Sequence, residues 1–380
     1  MTPVSGFVQR LGPHLLLDGQ DYRIAGGNNY YLAYVDAPTQ DSVLALAQSF
    51  GMNALRIWAF LDTPKPPVPG EVSFQYWDPK TKQPLVNDGP NGLERLDRAI
   101  AKAGALGIRV ILTLINNWKD FGGIPQYVQW FGMSAEKERN KFYSDSNCME
   151  AYQKWVHRLV TRKNTVSGLL YRDDPAILAW ELANEPRCEG KGGVDELLAW
   201  TEEMSWYVRG IDTNHLIALG DEGYFKRARA GGNTLYNGGH GVSCEEILGI
   251  TNVDFGTMHM YPDAMAKDLD PTEFGLRWIR EHMEAGERAD KPMLLEEYGM
   301  LAPDAERDPV FDAWLKSIEQ LGGVGDMLWM MGLPKSAQQP YDPDGYVVSA
   351  PAAVPSIGAH AARMLNSKAY RATAPCPTPE

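Results

Sequence analysis

Cysteine is scarce in this chain of 380 residues: Cys148, Cys188, Cys244 and Cys376 lie far apart, with no C-x-x-C pair and no histidine partner at metal-ligand spacing. That excludes a legible metal centre or redox motif, and buried or free thiols are at least as natural a reading as a disulfide. Basic charge is short as well, with 36 lysines and arginines against 49 acidic residues, a net charge of −13, and no lysine or arginine run. A phosphate backbone is therefore a poor partner, and no nucleic acid is expected. No run of ~18 apolar residues occurs, so no membrane span is expected. The opening "MTPVSGFVQR" has neither the basic start nor the apolar core of a secretory signal, which fits either a protein kept inside the cell or a mature form carrying an added Met1. A neutral substrate or a small molecule is the easiest partner to accommodate.

What is present is a repeated alternation of strand and helix signals. The stretch Ala176 to Arg187, "AILAWELANEPR", begins as an apolar run that suits a strand buried on both sides. Pro186 cannot continue a central strand, so Asn184 and Glu185 fall at its carboxyl end, where parallel α/β sheets and barrels bind ligands. Upstream, Gly12-Pro13 and Asp18-Gly19 mark an N-terminal β-hairpin that leads into a first strand ending near Asn29. Helical spacing at Val43, Ala47 and Phe50 precedes a second strand, "NALRIWAF", which carries Arg56. The proline-rich segment Leu61 to Gly92 reads as a long irregular excursion on the upper face, and a second long loop rich in aromatics runs from Phe121 to about Asp145. Further strands are "IRVILTLINNW", "HLIALG", "VDFGTMHMY", "KPMLLEEYG" and "GVGDMLWMM". Eight strand-then-helix units with no composition break imply an α/β fold, a closed (β/α)8 TIM barrel with long loops on the catalytic face. It forms one domain over residues 1–370, with a Pro-rich C-terminal tail at 371–380.

Several strands deliver a polar or aromatic group at the same end: Arg56, Asn116, Asn184 with Glu185, His259 with Tyr261, Glu297 and Trp329. Singly, each has a structural explanation, since a strand arginine is often an ion-pair partner and a tryptophan is often core. Their joint placement at the ligand-binding face is harder to explain that way. Two carboxylates with no metal ligands and no Ser-His arrangement suit acetal cleavage, one protonated to serve the leaving oxygen and one ionised to attack the anomeric carbon. Arg56, if near Glu297, would favour its charged form, and Tyr261 could orient it. Asn184 suits a sugar 2-hydroxyl and Trp329 an apolar sugar face.

At these residues the chain resembles glycoside hydrolase family 5, and specifically its β-mannanase branch. The resemblance rests on "NALRIWAF", "NNWKDFGG", "YRDDPAILAWELANEPRC", "DFGTMHMYP" and "PMLLEEYG", and covers roughly residues 6 to 335. It implies a retaining mechanism with Glu185 as general acid/base and Glu297 as nucleophile, a sugar site formed by Arg56, Asn184, His259, Tyr261 and Trp329, and neighbouring subsites at Arg187 and Trp118. No cofactor or metal is implied. Glu296 competes with Glu297, because adjacent strand residues point to opposite faces. The family pattern favours the glutamate directly before the aromatic-Gly pair, so Glu296 is expected to face away or make a supporting contact.

The expected activity is hydrolysis of β-1,4-mannosidic bonds in mannan and manno-oligosaccharides with retention, by an endo-acting monomer. An exo-acting β-mannosidase or mannobiohydrolase on the same site is the alternative within the class, and a catalytically dead sugar-binding barrel is the alternative outside it. Tyr76, Trp77, Tyr127, Trp130 and Phe131 offer material for aromatic platforms along an open cleft. Secretion is what the family implies, against the missing signal segment.

Overall fold

The computed structural model describes residues 3–336 and 344–366; the Pro-rich tail and Cys376 lie outside them. The N-terminal segment forms an antiparallel sheet of β1 (Val8–Leu11), β2 (His14–Leu17) and β3 (Gln20–Asp21). Asp18 and Gly19 both take positive φ, 52° and 73°, as a two-residue hairpin turn requires. Val8 and Leu15 of this sheet pack on Ile24, Leu178, Phe255 and Leu294, so it plugs the end of the barrel where the strands begin.

The barrel strands are β4 (Ile24–Asn28) and β5 (Ala54–Trp58), then, after a small sheet of β6 (Asp62–Thr63), β7 (Gln75–Asp78) and β8 (Gln83–Val86), β9 (Arg109–Thr113), β10 (Ile177–Glu181), β11 (Leu216–Ala218), β12 (Gly256–Met260), β13 (Met293–Tyr298) and β14 (Gly325–Leu328). All eight are parallel, in the order β11-β10-β9-β5-β4-β14-β13-β12. Every residue of these strands is buried, which is why their sequences run apolar without alternation. No ladder joins β11 to β12; the seam is bridged by Asp254 N–H to Ile217 O at 2.7 Å and His259 N–H to Glu222 O at 3.1 Å. The barrel is thus nearly closed, with helices packed around it.

Two segments differ from expectation. The proline-rich excursion contains the β6-β7-β8 sheet, because "FQYWD" and "QPLV" pair across a turn. The aromatic segment after Trp118 contains a helix, Gly123–Trp130, and a 3-10 turn, Arg139–Tyr143. Its Ile124, Tyr127 and Val128 form a buried helical face. Tyr127 and Trp130 are therefore anchors rather than platforms: the Tyr127 hydroxyl accepts from Gln75 at 2.8 Å and Trp130 Nε1 donates to Thr63 O at 3.1 Å. Phe131 and Trp77 pack on each other, edge to face at 5.8 Å, away from the main cleft. Finally, helix Pro355–Asn366 follows β14 and docks through His360, which bridges Glu319 at 2.6 Å and Asp326 at 2.7 Å. Cys148, Cys188 and Cys244 are buried free thiols, as the wide spacing suggested.

Candidate active site

A cleft of about 900 Å³ opens at the carboxyl ends of the strands. At its base Arg56, fully buried on β5, is the hub. It donates to both oxygens of Glu181 (2.6 and 2.7 Å), to Glu297 Oε1 (2.6 Å), to Asn184 Oδ1 (2.7 Å) and to Asn28 Oδ1 (3.1 Å). One guanidinium thus ties together β4, β5, β10 and β13. Gly220, with φ of 89°, leaves room for Glu181, since a Cβ there would lie 2.5 Å from Glu181 Oε1.

Glu297 accepts from Tyr261 Oη at 2.5 Å on its other oxygen. Glu185 stands opposite, with φ of 48°, a left-handed conformation uncommon outside glycine. It accepts from Trp118 Nε1 at 2.5 Å and faces His259 Nδ1 at 2.9 Å. His259 Nδ1 also lies 3.4 Å from Glu297, and its Nε2 lies 3.2 Å from Glu296. Facing atoms of Glu185, His259 and Glu297 all fall within 4.8 Å of one another. Nδ1 is hydrogen-bonded to Glu185 with Glu297 3.4 Å away, and both Glu297 oxygens accept from Arg56 and Tyr261, so the group is a hydrogen-bonded acid cluster.

Burial opposes a charge on His259, but Glu297, Glu185 and Glu296 around it push its pKa well above the usual imidazole value. Burial raises Glu185, yet the hydrogen bond and charge of His259, together with Trp118 and Arg187, bring it below the ordinary glutamate value. For Glu297 burial prevails over the pull of His259 and Arg56, and its pKa stays raised. Arg56 does favour the charged form of Glu297, as expected from sequence, without overcoming that burial.

The other sequence-derived residues take graded positions. Asn184 Nδ2 donates to Asn116 Oδ1 at 2.9 Å, and Trp118 N–H donates to the same oxygen at 3.2 Å, so Asn116 supports its neighbours from behind. Arg187 stands further out, paired with Glu222 at 2.6 and 2.8 Å and lying over the rings of Trp118 and Tyr224. Burial pushes Glu222 up to about 7 despite that pairing. Trp329 Nε1 donates to Asp344 at 3.0 Å, and its ring stacks near Tyr30 at 6.0 Å.

Of the two expectations for Glu296, the supporting contact holds: it does not face away but lies against His259 Nε2 and Arg56 Nε. Met258 pairs with Leu295 and His259 with Glu297, leaving Glu296 as an extra residue on β13; toward β14 the register slips in the same place. This bulge turns both neighbours inward. Sequence reasoning missed Glu181, Trp58, Tyr30, Glu222, Tyr224 and Asp344. Two had a signal: Glu181 is a charge inside an apolar strand, which demands a partner, and Trp58 lies two residues beyond Arg56, on the same side of the strand. Trp58 Nε1 is buried in the cleft wall with no protein partner.

A parallel barrel with two close carboxylates at its carboxyl face, cradled by arginine, tyrosine, histidine and tryptophan, defines a glycoside hydrolase of the two-carboxylate kind. Residues 5–317 match the model of GH family 5 beta-mannosidase-like proteins. The chain belongs to that family. It is 36% identical over 342 residues to mannan endo-1,4-beta-mannosidase A of Podospora anserina, covering 89% of this chain and 85% of that one. Among solved structures it resembles the endo-1,4-beta-mannanase of Rhizomucor miehei, with a TM-score of 0.86, 34% identity, and coverage of 95% of this chain and 100% of that one. The endo-beta-1,4-mannanase of Thermotoga petrophila follows at TM-score 0.79 and 37% identity, covering 92% and 78%.

Proposed function

We propose that this protein hydrolyses internal β-1,4-mannosidic bonds of mannan with retention of configuration, using Glu297 as nucleophile and Glu185 as general acid/base. The observation that carries the reading is the spacing of the two carboxyls: facing oxygens within 4.8 Å suit a retaining pair, ~5–5.5 Å apart, rather than an inverting pair at ~6.5–9.5 Å. A Glu297 oxygen attacks the anomeric carbon as the bond to the leaving oxygen breaks, and Glu185 protonates that oxygen. Glu185 then takes a proton from water, whose oxygen displaces Glu297 and releases the sugar. In the free site the needed proton resides on His259, 2.9 Å from Glu185, so the reactive state lies one transfer along an existing hydrogen bond. Asn184 keeps one amide hydrogen for the sugar 2-hydroxyl, because its oxygen is held by Arg56 and its other hydrogen by Asn116.

Endo action follows from the relatives at 34–37% identity, named endo-acting, and from a cleft that extends past the carboxyls to aromatic groups around Trp329 and around Arg187. Digestion of mannohexaose labelled with heavy oxygen at its reducing end, followed by mass spectrometry, tests this. Internal products of two to four sugars at the earliest times are expected. Stepwise release of mannose or mannobiose alone would refute the endo assignment.

A further inference from the structure

Beneath the two reacting carboxyls lies a second pair, Glu181 and Glu296, which the reaction as written does not use. Both are completely buried. Glu181 takes two hydrogen bonds from Arg56 and one from Thr113 Oγ1 at 3.1 Å. Glu296 Oε2 faces His259 Nε2 at 3.2 Å and Arg56 Nε at 3.6 Å, while its Oε1 is buried with no donor. Glu181 Oε2 and Glu296 Oε2 thus flank the same nitrogen, Arg56 Nε, at 2.7 and 3.6 Å. Two carboxyl oxygens held against one nitrogen in this way bond to each other only if one carries a proton.

Charge balance leads to the same proton. Glu181, Glu185, Glu296 and Glu297 surround two cations, Arg56 and His259, so full ionisation leaves an excess of two negative charges in a largely buried site. Uncompensated buried charge is strongly unfavourable. One proton on the lower pair reduces that excess to a single negative charge, and passing the His259 proton to Glu185 for catalysis leaves the total unchanged. The charged and titratable groups around the pair are Arg56 from β5, which it shares with Glu297, His259 from β12, Tyr152 beside Glu181, and Asp221 after β11, whose acid burial pushes up to about 7.

We propose that Glu181 and Glu296 share a single proton and act as positioning residues, the carboxyl–carboxylate pair orienting Arg56 toward Glu297 and His259 toward Glu185. This rests on the roles given above to Glu185 and Glu297, but the shared proton is measurable without turnover. In the infrared difference spectrum of wild type minus Glu296→Gln at neutral pH, the loss of a protonated-carboxyl C=O band that shifts in deuterated water is expected. Loss of a carboxylate band instead means that both groups were ionised, and overturns the proposal whether or not the enzyme is a mannanase. For turnover of an aryl manno-oligoside, Glu296→Gln keeps an acceptor for His259 and the pair's charge. It should hold kcat within about threefold of wild type and leave the alkaline limb of the pH profile in place. Glu296→Leu removes that acceptor, so kcat should fall at least tenfold with KM little changed, and the alkaline limb should move to lower pH. An alkaline limb displaced equally in both variants, or in neither, contradicts the positioning role.

Discussion

Glu296 and Glu297 are consecutive on β13, yet both carboxyls enter the same polar cluster, 297 against Arg56 and Tyr261, 296 against His259. The bulge that permits this makes chemical tests of the assignment necessary, because position on the strand alone does not separate the two.

Glu297→Ala should lose turnover and regain it with azide, giving a glycosyl azide of inverted configuration. Glu185→Ala should slow substrates with poor leaving groups by about 10²–10⁴-fold, the usual contribution of a general acid. With an activated aryl leaving group it should complete the first step and stall. Azide rescue of Glu296→Ala with Glu297 intact would reassign the nucleophile.

Activity should follow a bell in pH, with limbs belonging to the coupled pair. The acid limb requires ionised Glu297, whose burial holds its pKa above the ordinary value, so activity should fail at a higher pH than a free glutamate would impose. The alkaline limb reflects loss of the proton shared by His259 and Glu185. With a substrate needing little protonation, Glu185→Gln should flatten that limb; an unchanged limb assigns it elsewhere.

Trp118→Phe keeps an aromatic ring but removes the 2.5 Å donor to Glu185. Hydrogen bonds to charged groups contribute about 1.5–3 kcal/mol, so the ionised form of Glu185 is destabilised and the alkaline limb should move to higher pH. Rate profiles of the two proteins on one substrate decide this, and a shift toward lower pH contradicts the contact.

His360, between Glu319 and Asp326, has a pKa raised above its ordinary value: burial opposes its charge, and the two carboxylates outweigh burial. A raised folded-state pKa means stability fully present below the unfolded value of ~6.5 and lost as pH climbs through the folded one. The urea midpoint gap between wild type and His360→Gln should therefore be widest at or below about pH 6 and narrow in alkali. A gap independent of pH would show that the imidazolium is not what clasps the C-terminal helix.

Much of this protein is decided locally. Apolar strand runs, helical spacing and the residues Arg56, Asn184, Glu185, His259, Tyr261 and Glu297 determined the barrel and the polar cluster at its ligand face, because a strand buried on both faces needs no alternation and its carboxyl end opens onto that face. The rest depends on contacts between segments distant in sequence. Tyr127 and Trp130 could be platforms or anchors until a helix turned them onto Gln75 and Thr63. Glu181 gains meaning only when Arg56, from another strand, reaches both its oxygens. Glu296 points inward because a one-residue register slip against β12 and β14 overrides the strand's alternation. That slip is a property of three strands together, so β13 read alone could not contain it.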